Sequence, residues 1–456
     1  MSSRIARRIA VPLLLSLTIA PRPARAQDAN YWSTAYGTRS QLLGGVVTGS
    51  PGDISSTYYN PGALVFSGPA GLLLAGSAYQ YQRVAVDNGS GPGKTLVSAS
   101  FKAVPSLFAG EIPILEHDRL AYAFLTRSSM DMEMNSRSTT GIEPIAPIPA
   151  AVFAAGEIQL KQDFSESWYG LTWSHKLSPT LGFGVSPFVV VRGQRTRAAL
   201  LLEGRDLADQ AAVLSQSREF DYLHWSMLAR FGLSGVRDSL TYGLTLTTPN
   251  VGLFGGGSTN FNSTLVDQTG SIGNVMGANY TDELKAKHRT PLGAGAGASY
   301  GFGGTRLHTA IEWNAEVPRY TVLESPDFVI HKETTGDSTV KVVISDRMDA
   351  VFNWGVGIEH RFGATVSGFA SYHTDLSGRK QGETPGASVT AWDLHDVAAG
   401  VTWHVLRSDF ALGLAAAFGN QPTPSVPGST EGAPSPQDLQ THEMLVTVSV
   451  GWKITY

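Results

Sequence analysis

Apolar and polar residues alternate one by one through much of this chain. Its last thirteen residues, MLVTVSVGWKITY, place Met444, Val446, Val448, Val450, Trp452, Ile454 and Tyr456 on one parity. Leu445, Thr447, Ser449, Gly451, Lys453 and Thr455 fall on the other. A strand points successive side chains to opposite faces, so this stretch has one apolar wall and one polar or small wall. The pattern recurs at Leu181, Phe183, Val185, Val189 and Val191, at Leu240, Tyr242, Leu244 and Leu246, at Phe352, Trp354, Val356 and Ile358, and at Phe410, Leu412, Leu414, Ala416 and Phe418. The opposite faces of these stretches carry glycine and alanine, among them Gly182, Gly184, Gly243, Gly355, Gly357, Gly413 and Ala417. A single strand of this kind fits a soluble sandwich with its apolar wall on a core. It equally fits a membrane barrel with that wall on lipid.

The connections separate the two. Tight turns are predicted at 113–118, 177–180, 236–238, 302–305, 362–364 and 406–408. Long polar connections lie near 87–94, 135–156, 198–218, 249–280, 322–346, 377–389 and 420–438. Six short and seven long connections imply fourteen strands. An even strand count, with short turns on one rim and long loops on the other, describes an outer-membrane barrel, and closure leaves no strand edge unpaired in lipid. The expected fold is therefore all-β, a transmembrane antiparallel barrel spanning 69–456. Lys453 then points inward, which avoids the roughly 2–4 kcal/mol cost of a lysine facing mid-bilayer lipid. A terminal strand closing on the aromatic Tyr456 resembles the C-terminal signal read by the barrel-assembly machinery.

Composition agrees. Only 16% of the 456 residues are charged, against roughly 25% in a typical soluble domain, and glycine is abundant at 50 residues. No apolar run beyond the N-terminus reaches the roughly 20 residues of a spanning helix. A net charge of −4 gives no case for nucleic acid. The N-terminus reads as a signal peptide over 1–26: MSSRIARR is basic, IAVPLLLSLTIA is apolar, and Ala24-Arg25-Ala26 is a small-x-small cleavage site. The chain has no cysteine, which excludes lipoprotein processing, disulfides and Cys-based metal sites.

Residues 27–68 do not alternate. Gly, Pro, Ser and Asp mark turns there, and Asn60-Pro61 holds the chain extended at the asparagine. Tyr31, Trp32, Tyr36, Leu42, Leu43, Val46, Val47, Tyr58 and Tyr59 are too apolar for a linker in water. The adjacent lumen offers a surface, so the segment is expected to fold inside the barrel as a plug. Another exception is 198–217, where Leu207, Ala211 and Leu214 share a helical face. That spacing fits either a solvated loop helix or an external hydrophobic ledge at the mouth.

These features together resemble the FadL-type outer-membrane transporters of long-chain fatty acids and aromatic hydrocarbons. The likeness begins in LGGVVTGSPGDISSTYYNPGAL, similar to that family's N-terminal hatch ending in Asn-Pro-Ala, with Gly62 here in place of the alanine. It continues through VPSLFAGE, LAYAFLTRSSMDMEM, SWYGLTWSHKLSPTLGFGVSPFVVV, LTYGLTLTTPNVGLFGGG, TPLGAGAGASYGF and GVGIEHRFGATVSGFASYHTDLSG, in that order. The resemblance implies a plugged fourteen-strand barrel and a hydrophobic solute that lands on an external groove. It implies passage to an inner pocket against the hatch and sideways exit near a kinked third strand. That strand is about 119–134 here, with the kink expected at Arg127, Ser128 and Ser129.

The remaining chemistry is sparse. Inward positions of the alternating strands are mainly small, and the inward charges Arg192, Glu359, Arg361 and Lys453 are expected near strand ends, unlike the charged rings of a porin. The eleven histidines show no metal-ligand spacing, so no metal or cofactor is expected. Asp131-Met132-Glu133 reads as a solvated strand end. GAGAGASYGFGG lacks the lysine and helix of a phosphate loop, and no G-x-S-x-G occurs, so no enzyme is indicated. The expected function is passive uptake of hydrophobic small molecules by a monomer in the outer membrane. The alternatives are a docking or shuttle partner of a secretion system and a general porin.

Overall fold

The structure, a computed structural model, describes residues 30–32, 34–50, 53–88, 95–113, 117–141, 153–206, 208–270, 273–379, 392–422 and 440–455. The signal-peptide segment, Leu207 and Tyr456 lie outside the described residues. A short helix α1 (Ser56–Tyr59) and a 3-10 helix (Pro61–Phe66) come first. The next strands are β1 (Gly71–Val86), β2 (Leu96–Pro113), β3 (Asp118–Gly141), β4 (Phe153–Ser178), β5 (Leu181–Arg205), β6 (Ala211–Arg237), β7 (Leu240–Thr247), β8 (Val251–Asp267), β9 (Val275–Lys285) and β10 (Gly293–Phe302). They are followed by β11 (Thr305–Asn314), β12 (Val317–Glu324), β13 (Phe328–Lys332), β14 (Ser338–Val340), β15 (Val343–Met348), β16 (Val351–Arg361), β17 (Val366–Asp375), β18 (Asp393–Val405), β19 (Ser408–Pro422) and β20 (Gln440–Thr455).

Fourteen of these strands, β1 to β7, β10, β11 and β16 to β20, close an antiparallel barrel. Its seam is β20 on β1, from Gly71↔Thr455 to Val86↔Thr441. Five of the six tight turns, at 177–180, 236–238, 302–305, 362–364 and 406–408, fall between the strands where the sequence places them, and 114–116 of the sixth lie outside the described residues. Strands β10, β11 and β17 have 10 residues and β16 has 11, matching the roughly 9–11 that a tilted strand needs to cross the hydrocarbon layer. Strands β3 to β6 have 24, 26, 25 and 27 residues, so they project past it on the long-loop side.

The alternation decides what each face meets. On β7, Leu240, Tyr242, Leu244 and Leu246 are exposed outside, while Thr241, Gly243 and Thr245 are buried inside. On β16, Phe352, Trp354, Val356 and Ile358 face out and Asn353 and Gly355 face in. A continuous apolar exterior on a closed barrel is solvated by acyl chains, as in bacterial outer-membrane barrels. Near the short-turn rim Phe410 stacks on Trp403 at 6.0 Å and on Trp452 at 6.3 Å, an interfacial aromatic girdle.

Two expectations about the long-loop side are corrected. The stretch 198–217 is not helical: Ala198↔Arg218 to Arg205↔Ala211 continue the β5–β6 ladder, and Ala211 and Leu214 are strand residues with Leu214 buried. Backbone pairing with a formed neighbour outweighs a weak helical spacing. Much of 135–156, 249–280 and 322–346 is also strand. Above the membrane neither face needs to be uniformly apolar, so period-2 alternation fades although the ladder persists. There β8 pairs with the upper part of β6 over Met227↔Val251 to Ala212↔Asp267. Strands β12 and β15 form a separate pair whose buried Tyr320, Val322, Leu323 and Ile344 pack with Phe220 and Tyr222 of β6 and with Tyr31.

The segment before β1 fills the lumen. Tyr36, Leu42, Leu43, Ile54 and Leu64 are completely or almost completely buried, joining Leu73, Leu107, Leu125, Trp168 and Phe188 of the wall in one core. Each such apolar side chain contributes about 1.5–3 kcal/mol when fully buried. That burial holds a turn-rich segment inside the barrel.

Candidate functional site: a corked lumen beside a break in its wall

The plug seats on bare backbone. Leu42 lies against Gly400 and Gly413, Leu43 against Gly357, and Val46 against Gly355. A Cβ at Gly355 would stand 2.6 Å from Val46 Cγ2, and one at Gly400 2.6 Å from Leu42 Cδ2. The inward glycines read from the sequence are therefore contact sites. Tyr58 packs edge-on against Tyr36 at 4.6 Å and Tyr59 at 5.2 Å, and tilted against Trp168 at 5.9 Å.

Asn60 ties the plug together. Its Oδ1 accepts from Gly62 N at 3.1 Å, capping the 3-10 helix that Pro61 begins. Its Nδ2 donates to Thr48 O at 2.9 Å in the plug and to Leu233 O at 3.1 Å in β6. A Cβ at Gly62 would meet Gly232 O at 2.6 Å and Gly182 O at 2.8 Å. An alanine methyl does not fit there, which accounts for glycine after Asn60-Pro61. Two further ties reach the wall. Asp375 Oδ1 accepts from Tyr31 N at 3.0 Å and Trp32 N at 2.9 Å. Arg39 Nε donates to Glu359 Oε2 at 2.8 Å.

The wall is not continuous. Strands β2 and β3 pair only from Pro113↔Arg119 to Leu107↔Leu125. Beyond that point β2 continues on β1 as far as Leu96, and β3 continues on β4 as far as Gly141. A register shift between Thr126 and Ser128 leaves Arg127 as an extra, buried residue in β3. A bulge of this kind bends a strand and ends its pairing. Pro105, which has no N–H to donate, sits on β2 beside the last β2–β3 pairs. Side chains bridge the break: Lys102 Nζ donates to Ser129 O at 3.2 Å and Oγ at 3.1 Å, and Glu133 N donates to Ser98 Oγ at 3.0 Å. Ser128 lines a small cavity behind it.

Inside, above the break, Met130, Met132 and Met134 alternate inward and pack with Val84, Leu160, Phe164, Trp392 and Leu394. Unbranched thioethers adapt to varied apolar shapes. Sequence reasoning missed this wall. The alternating methionines of SSMDMEM were its signal, but the acids between them drew attention instead. Asp131 and Glu133 are exposed on the outer face, with Lys161 3.2 Å from Glu133.

The lumen is more charged than expected. Arg192 is not at a strand end but mid-strand in β5, buried, with Nη1 3.2 Å from Glu166 Oε2. Trp168 Nε1 donates to Glu166 Oε1 at 2.8 Å. His288, in the coil between β9 and β10, lies 3.7 Å from the same carboxylate. Burial, and next the nearby Arg192 charge, hold its pKa well below the ordinary histidine range, so it stays neutral and Arg192 is the counter-ion. The sequence places Arg192 inward but not mid-strand, and Glu166 escaped notice because its outward neighbours, Ser165 and Ser167, carry no apolar signature. Lys453 is inward and buried, and Arg361 is exposed at the end of β16.

No family model and no curated protein matches the chain. Solved structures match over nearly its full length. A Pseudomonas aeruginosa FadL homologue aligns at TM-score 0.55 and 11% identity, covering 94% of this chain and 100% of its own. The Pseudomonas putida toluene transporter TodX aligns at TM-score 0.55 and 13% identity, covering 92% and 98%. The CymD monoaromatic hydrocarbon channel aligns at TM-score 0.52 and 13% identity, covering 92% and 98%. The chain therefore has the fold of the FadL-type channels.

Proposed function

We propose that this protein is a passive channel of the bacterial outer membrane that takes up hydrophobic small molecules of the fatty-acid or hydrocarbon class. It acts as a monomer and catalyses no reaction. The observation that carries this reading is the end of the β2–β3 ladder partway along the wall, beside a buried cluster of adaptable methionines. A solute enters among the strands that project past the membrane on the long-loop side. It binds against Met130, Met132 and Met134, meets the plug, and leaves sideways past Arg127, Ser128 and Ser129. Transfer from one apolar surface to another needs no coupled energy, since each buried CH₂ is worth roughly 0.8 kcal/mol at either end. The names of the structural neighbours support the substrate class. The plug speaks against an open porin. Residues 27–68 act as the cork, 69–456 as the conduit, 1–26 as the export signal, and Tyr456 as the contact for barrel assembly.

The test is entry of labelled toluene or palmitate into cells that produce the protein. Saturable entry insensitive to a proton uncoupler is expected. Rates equal to those of cells lacking the protein would refute the transport reading.

A further inference from the structure

Two guanidinium groups are buried behind the break. Arg230 Nε has no hydrogen-bond partner, and the group lies 4.6 Å over the Tyr58 ring. Among the described residues Arg127 donates only to Asn30 O, at 3.3 Å, and it lies 5.7 Å from the Tyr31 ring. Both are less than a tenth exposed, Arg230 at 5% and Arg127 at 8%. Neither forms an ion pair among the described residues. Both line one cavity of about 50 Å³ with Tyr58 and Trp168. Its wall holds four arginines and two glutamates. Glu166 pairs with Arg192 and accepts from Trp168, and Glu312 accepts from Asn314 Nδ2 at 3.1 Å, so the two carboxylates offset only part of the charge of the four arginines. Buried positive charge in excess of negative is unfavourable unless something balances it, and aromatic faces offset only part of that cost.

We propose that this cavity is a subsite for a small aromatic carboxylate, the carboxylate meeting Arg127 and Arg230 and the ring lying against Tyr58 and Trp168. The inference rests on the channel reading above and narrows its substrate class. The volume is far too small for a long acyl chain, against the roughly 300–1,000 Å³ of a drug-sized site. A fully buried arginine suits a planar carboxylate, which it can grip through two parallel bonds.

Isothermal titration of the detergent-solubilised full chain with benzoate and with benzyl alcohol tests it, since the two differ chiefly in charge. Benzoate should bind at least tenfold more tightly than benzyl alcohol. The R230Q and R127Q variants should each weaken benzoate at least tenfold while keeping the heat-modifiable gel mobility of a closed barrel, and R230K should recover part of the loss. Benzyl alcohol binding as tightly as benzoate would overturn the subsite without any variant, as would unchanged benzoate affinity in folded R230Q and R127Q. In either case toluene uptake would still stand as evidence for the channel. Absence of both benzoate binding and toluene uptake would remove the subsite and the channel reading together.

Discussion

Gly62 and Asn60 set how tightly the cork fits. At Gly62 the space for a methyl is taken by the backbone oxygens of two barrel strands. Gly62→Ala should therefore cost about 1–3 kcal/mol through overpacking, read as a lower thermal unfolding midpoint in detergent. Asn60→Ala strands the 3-10 helix N–H and two carbonyls that Asn60 now satisfies. A loss of roughly 1–3 kcal/mol per unpaired buried group should appear as flickering ion conductance in planar bilayers. Silent bilayers would show that Asn60 does not hold the plug. At this scale the sequence was informative about the plug, because Leu42, Leu43, Val46 and the paired tyrosines are conspicuous among turn residues. It was less informative about Arg230 and about the depth of Arg192, which it placed inward but at a strand end, since a single charge on an alternating strand does not reveal how far along the lumen it lies.

The strands of the barrel divide into two kinds. Where both lipid and lumen act on a strand, as on β7 and β16, alternation was legible to the residue. Where a strand rises above the membrane, as in the upper halves of β5 and β6, only its neighbour keeps it extended. That is why a helical spacing around Ala211 and Leu214 misled. The break between β2 and β3 was legible only in part: a family resemblance indicated the third strand, but the end of the β2–β3 ladder is a property of pairing and leaves no local mark besides Pro105. Deleting Arg127 removes the extra residue of the bulge and should let β3 run in register. Uptake of an apolar solute should then fall at least tenfold while the barrel still folds, as judged by gel mobility. Unimpaired uptake would separate the bulge from the exit.

As a whole the molecule is a closed cylinder whose exterior demands lipid and whose interior is filled by its own N-terminal segment. Fourteen strands could be counted from turn spacing because tight turns on one rim carry a strong Gly, Pro, Ser and Asp signature. Removing 27–68 from the mature chain takes away the buried side chains that fill the lumen. Steady ion conductance in planar bilayers is expected from that deletion, against near silence from the intact protein; equal conductance would mean that the segment does not seal the lumen.

The central claim is that solute leaves through the wall between β2 and β3. With no native cysteine in the chain, Lys102→Cys and Ser129→Cys can be joined specifically by a short thiol cross-linker where Lys102 now touches Ser129. Uptake of labelled toluene should collapse in the joined protein and persist in the same double variant left unjoined. Uptake that continues at full rate across a closed seam would contradict the account.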